Sequence, residues 1–153
     1  MRQLRHLPAV IAALLGVANI CFAGESLPKH FSDEELIEVL QGEGYRAVEK
    51  SEDRVLNIRI DGFTFYLYVY DDDDLQLYFG MTGYEVSTAD MNEWNRSKRL
   101  SRAYLDEVDD PVIEADLLAN AGYTPDQLRE WVSVFNTSAR EFHQFVSKAD
   151  QAE

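Results

Sequence analysis

The chain has 153 residues, 28 of them acidic against 14 Lys and Arg, which gives a formal net charge of −14, and it contains a single cysteine. An acidic balance of that size repels phosphate backbones and anionic lipid headgroups, which argues against nucleic-acid and peripheral-membrane partners. One cysteine makes no internal disulfide and no thiolate cluster, so stability must come from packing.

The N-terminus carries an address. Arg2 and Arg5 precede an apolar run over residues 7–23 that ends in Cys21-Phe22-Ala23, with small residues near a bulky one, the tripartite pattern of a secretory signal peptide. Pro8, Gly16 and Asn19 interrupt the run, and it falls short of the ~20 apolar residues that a membrane span needs. Ala18-Asn19-Ile20 is a poor context for lipid attachment at Cys21. The expectation is a signal peptide over residues 1–23 and one domain over 24–153, periplasmic or secreted, with no membrane insertion after cleavage. Cleavage removes Arg2 and Arg5 and no acidic residue, so the charge moves from −14 to −16. It also removes Cys21 and His6, leaving His30 and His143 without a metal-ligand spacing, and no metal or cofactor is called for.

Ser32 followed by Glu35 makes a capping box, with Phe31 placed to staple onto Leu36, so a helix starts there. Leu36, Ile37, Val39 and Leu40 form its buried side, and Gly42 and Gly44 stop it. Four strands follow over residues 45–49, 55–60, 63–70 and 75–84, separated by turn signals at 51–53, 61–62 and 71–74. In the third, Phe63, Phe65, Leu67 and Val69 share one face and Thr64, Tyr66, Tyr68 and Tyr70 the other, because strand side chains alternate. The fourth repeats this with Leu75, Leu77 and Phe79 against Gln76 and Tyr78.

A short helix is expected over residues 88–99, with Ser87 or Thr88 as cap and Met91 and Trp94 as its large apolar anchors. Residues 100–106 and 112–118 read as a strand hairpin. Thr124 with Pro125 and Gln127, and Tyr123 placed to staple onto Leu128, gives the strongest helix start in the chain. Leu128, Trp131, Val132, Phe135, Ala139, Phe142 and Val146 then recur on one helical face that should cover a sheet, with residues 148–153 expected to fray. The order α-β-β-β-β-α-β-β-α predicts an α+β domain, an antiparallel sheet with helices on one face.

Several clusters bear on function. Asp71, Asp72, Asp73 and Asp74 invite a calcium reading, but the glycine and glutamate of an EF-hand loop are replaced by Gln76 and Thr82, so a solvated hairpin turn fits better. Tyr66, Tyr68, Tyr70 and Tyr78 share the face opposite the aliphatic one and offer flat amphipathic area to a partner, or are covered by a helix or second subunit. Arg96, Lys98, Arg99 and Arg102 gather a third of the basic residues left after cleavage, and read as charge balance, with Arg102 across from Glu114 or Asp116. No nucleophile elbow, phosphate-binding loop or dinucleotide fingerprint occurs, and no catalytic residue is named.

Asn92-Glu93-Trp94-Asn95-Arg96, then residues 102–106, then Asp110-Pro111 with the apolar-acidic alternation to Leu117, then Ala121-Gly122 before Thr124, resemble the YbjN family of bacterial proteins, described as sensory transduction regulators. The resemblance implies a fold like that of type III secretion chaperones, small acidic dimers that bind extended segments of other proteins. It supplies no catalytic residue. From the residues themselves, Glu93, Trp94 and Asn95 are expected to hold the short helix onto the sheet, with Asn95 satisfying buried backbone groups near the Trp94 ring. The functional expectation is a non-enzymatic exported protein-binding module, its contacts made by Tyr66, Tyr68, Tyr70, Tyr78, Met91 and Trp94. A small periplasmic enzyme using surface carboxylates and a purely structural homodimer are the alternatives.

Overall fold

The computed structural model describes residues 27, 30–42, 44–45 and 47–151; the expected signal peptide lies outside them. The elements follow the order α1 (Asp33–Gly42), β1 (Ala47–Glu52), β2 (Val55–Ile60), β3 (Phe63–Val69), β4 (Leu75–Gly80), α2 (Thr88–Ser97), β5 (Arg102–Leu105), β6 (Pro111–Leu117) and α3 (Pro125–Asp150). They build a six-stranded antiparallel sheet in the order β1-β2-β3-β4-β6-β5, which makes β1 and β5 the edges.

The helix starts follow their capping chemistry. Ser32 Oγ accepts from Glu35 N–H at 3.2 Å while Glu35 Oε2 accepts from Ser32 N–H at 2.8 Å. Thr124 and Gln127 repeat the exchange at α3, and Ser87 with Asp90 repeats it at α2. The two stapling rings, Phe31 and Tyr123, stack on each other with centroids 4.9 Å apart, which ties the start of α1 to the start of α3.

Several boundaries differ from expectation. β1 extends through Glu52, because the β1–β2 connection is a two-residue turn in which Arg54 takes a φ of 59°. β4 ends at Gly80, and the chain turns at Gly83 with a φ of 81°. α2 ends at Ser97, where Lys98 N–H caps the Trp94 carbonyl, and β5 starts only at Arg102 because Leu100 takes a φ of 69°. Residues 148–150 remain helical, and Asp150 Oδ1 accepts from Glu85 N–H at 2.7 Å.

One core lies between the sheet and all three helices, containing Leu36, Leu40, Phe65, Leu77, Trp94 and Phe135 among others. Phe65 meets Phe79 and Phe135 edge-on at 5.6 and 5.3 Å, and Trp94 meets Phe142 at 5.1 Å. Such edge-to-face contacts add to what burial of the rings already contributes. The three described helices therefore share one face of the sheet and leave the other open among the described residues. Among the described residues, no helix is long and apolar enough to cross a membrane.

Candidate functional site

Strand register assembles the open face. Asn57 lies opposite Tyr66, Tyr66 opposite Tyr78, Tyr78 opposite Glu114 and Glu114 opposite Arg102, a row crossing five strands. A second row runs from Val55 through Tyr68 and Gln76 to Asp116. Three tyrosines drawn from two strands thus become one cluster. Tyr66 and Tyr68 stack at 6.4 Å, and Tyr78 meets them edge-on at 6.1 and 6.3 Å. Tyr78 lies over Gly80, where an added Cβ would come within 3.1 Å of its hydroxyl, so the missing side chain is what lets the ring lie along the strand.

Tyr66 is 39% and Tyr70 47% exposed, while Tyr68 and Tyr78 are half-buried. Burial first, and neighbouring acidic or phenolic groups second, push the Tyr68, Tyr70 and Tyr78 phenols above their ordinary range. They remain neutral donors: Tyr70 OH donates to Gln76 Oε1 at 2.9 Å, and Gln76 Nε2 donates to Asp116 Oδ1 at 3.0 Å. Glu114 closes the row from below. Only 4% exposed, it accepts from Tyr104 OH at 3.0 Å and pairs with Arg102, which sits 5.7 Å above the Tyr104 ring. Of the two partners expected for Arg102, the register selects Glu114.

The expected role of Met91 and Trp94 as partner contacts needs correction. Met91 is 2% and Trp94 0% exposed, and Trp94 packs on Phe142 and Phe145. The thin apolar stripe of α2 is consumed inside the chain, so that helix offers a partner only its polar side. The rest of the Asn92, Glu93, Trp94, Asn95, Arg96 motif explains how it is held. Trp94 Nε1 donates to Ser101 Oγ at 3.2 Å, Asn95 Nδ2 donates to Ala103 O at 2.9 Å, and Ala103 N–H donates to Asn95 Oδ1 at 2.8 Å. The Asn95 amide thereby pairs with the outer edge of β5 as a neighbouring strand would. Glu93 pairs with Arg96 along the exposed side of the helix, and Asn92 is exposed.

The aspartate run is engaged by the protein itself. Asp73 accepts from Arg54 Nη2 at 3.0 Å and lies 2.7 Å from His30 Nδ1, Asp74 Oδ1 accepts from Ala119 N–H at 2.6 Å, and Asp72 Oδ1 accepts from Asp74 N–H at 3.3 Å. Among the described residues no three His, Cys, Asp or Glu side chains converge as a metal group. Of the basic cluster, Lys98 reaches Glu141 at 2.7 Å. His143 packs against Phe63 and Tyr84.

Sequence reading missed the network around Asp33. This 5% exposed carboxylate pairs with Lys50 at 2.8 Å and Arg54 at 3.5 Å, and Arg54 continues to Asp73. Burial opposes its ionisation, but the hydrogen bonds from Lys50 and Arg54 N–H and the charges of both side chains outweigh it and hold the carboxyl below its usual range. No signal short of the sheet register could reveal this cluster, since its members come from α1, β1 and two turns. Glu114 was more visible, as one of the two carboxylates, with Asp116, that the sequence sets across from Arg102.

The family model described as YbjN, "Putative bacterial sensory transduction regulator", matches residues 32–147. The chain belongs to the YbjN family. A search of curated proteins found no match. Among solved structures, YbjN from E. coli, described as "a putative transcription regulator", superposes with a TM-score of 0.59 at 18% identity, covering 83% of this chain and 96% of that one. The Yersinia pestis type III secretion chaperone SycH, solved with a stable fragment of YscM2, superposes with a TM-score of 0.53 at 17% identity, covering 69% of this chain and 94% of that one. The YbjN and chaperone folds thus share this sheet with its helices on one side, as the resemblance implied.

Proposed function

We propose that this YbjN-family chain is a non-enzymatic, exported protein-binding module whose open sheet face grips a partner through Tyr66, Tyr68, Tyr70 and Tyr78. The observation that carries this reading is the ring cluster of Tyr66, Tyr68 and Tyr78, left uncovered by the described helices and flanked by acidic groups. Neutral, mutually packed tyrosines lose little side-chain entropy on binding and combine apolar area with hydrogen-bonding tips. The acidic margin, Glu52, Glu114 and Asp116 among it, selects against acidic partners. SycH held with a protein fragment supports protein binding by analogy of fold. Export rests on the N-terminal pattern of residues 1–23.

The test is crosslinking of the tagged chain in the cell envelope, followed by partner identification in the wild type and in Tyr66→Ala/Tyr68→Ala. A partner lost in the double variant, with the circular dichroism spectrum and melting temperature retained, supports the reading. Retention of the same partner by the folded double variant overturns it, and a full-length leader in cytosolic fractions overturns export.

A further inference from the structure

A second surface lies at the other end of β6. The β5–β6 ladder stops at Arg102 opposite Glu114, while β6 continues to Leu117 and stays paired with β4 as far as Leu75 opposite Leu117. Ala115, Asp116 and Leu117 therefore lie at the sheet edge on the β5 side. The direction of their backbone groups follows from Asn95. Because Ala103 turns both its N–H and its C=O outward to the Asn95 amide, Ala103 and Ile113 form a non-hydrogen-bonded pair, and Glu114 and then Asp116 turn theirs toward the β5 side. At Asp116 β5 has already ended, because Leu100 bends the chain away with a φ of 69°.

A groove of about 530 Å3 opens at this edge, between the end of β6 and the first half of α3. Leu100, Leu117, Trp131 and Val134 supply its apolar walls, and Leu100 is 65% exposed. Among the described residues its charged members are Asp116, Asp126 and Glu130, and no described Lys, Arg or His lines it. Past Asp116, a second hollow of about 520 Å3 adds Asp71, Asp72 and Asp74.

We propose that this groove takes an extended segment of a partner protein in which apolar and Lys or Arg residues alternate, added as a short strand to the free edge of β6. Alternation sends every second side chain into the groove beside Trp131 and Val134 and the others to the opposite side of the sheet. There Asp116 and the Asp71, Asp72 and Asp74 hollow meet the basic residues. Charge selects this occupant. A second copy docked about a two-fold axis would set Asp116, Asp126 and Glu130 against themselves, whereas a basic segment relieves their mutual repulsion. The inference deepens the protein-binding reading by naming a partner chemistry; it uses none of the clustered rings of Tyr66, Tyr68 and Tyr78, and shares with that face only Tyr70 and Asp116 at its margin.

The probe is a synthetic peptide of about eight residues, the length of an ordinary strand, with alternating valine and lysine. It is titrated into the isotope-labelled protein at low salt, beside a valine–glutamate control. The expected result is saturable binding by the lysine peptide alone, with resonance shifts centred on Ala115, Asp116, Leu117 and the Trp131 indole and slowed exchange of the Asp116 amide. Affinity should fall on the order of tenfold in Asp71→Asn/Asp116→Asn, because two carboxylates that face the peptide's lysines are neutralised together. If that variant does not fold, Leu100→Glu at the exposed rim provides the same reading by breaking the apolar wall. Tyr66→Ala/Tyr68→Ala should bind the peptide unchanged, which separates failure here from failure of the tyrosine face. The proposal is overturned if the lysine peptide moves no resonance on β6 or α3, or if the glutamate peptide binds equally. It is also overturned if the Asp116 amide is already protected without peptide, whether by a second copy, shown by dependence on protein concentration, or by the chain's own N-terminal segment.

Discussion

Asn95→Ala tests whether the asparagine that ends the Glu93-Trp94-Asn95 run acts as a substitute strand. Its amide makes two hydrogen bonds to Ala103, at 2.8 and 2.9 Å, each worth about 0.5–1.5 kcal/mol net. Asn95 is exposed although Ala103 is buried, so in the variant water entering from the Asn95 side takes over part of the pairing, and about 1–2 kcal/mol is the expected gross loss. Alanine gives back roughly 0.5 kcal/mol by its higher helix propensity. Asn92 calibrates that gain, being exposed on the same helix. Urea denaturation followed by tryptophan fluorescence should show Asn92→Ala neutral or slightly stabilised and Asn95→Ala destabilised by about 1 kcal/mol, with an unchanged m-value. Asn95→Asp should fare no better, because it keeps the acceptor for Ala103 N–H but sets a second carboxylate oxygen against the Ala103 carbonyl. Equal stability of the two alanine variants would refute the strand-substitute account.

Two further predictions concern pH. The Asp33 carboxyl is held below its ordinary value of 3.8, so its contribution is complete above that value and disappears as pH falls through the lower folded-state pKa; in acid-titrated melts the stability gap between wild type and Asp33→Asn should be full near neutrality and close in strong acid, and a gap independent of pH would contradict the ion-pair assignment. Tyr123, 2% exposed, is pushed up to about 12 by burial and then by Asp73. The unfolded chain therefore gives up this proton first, stability should decline as pH rises from about 10 towards 12, and Tyr123→Phe should flatten that decline in alkaline melts.

What the sequence revealed, it revealed through local chemistry. Capping boxes at Ser32 and Thr124 set the starts of α1 and α3, and period-two alternation placed Tyr66, Tyr68 and Tyr78 on one face before any register was available. Met91 and Trp94 read from sequence as partner contacts because a helix with two large apolar residues does not disclose whether its cover is another chain or α3 of its own, and for Trp94 Phe142 and Phe145 supply that cover here. Arg54 and Leu100, both with positive φ, displaced strand ends because nothing in these side chains announces a left-handed backbone. The Asp33 network and the free edge of β6 depend on contacts between distant segments and on where β5 stops, which periodicity does not encode.

The most direct test of the tyrosine face places a photo-crosslinking residue at Tyr66, and in a separate variant at Gln144 on the exposed side of α3, in the chain expressed in its own host. The account predicts a discrete crosslink to another polypeptide from position 66 and none from 144. Equal labelling from both positions, or a crosslink from 66 only to a second copy of the chain, would contradict it.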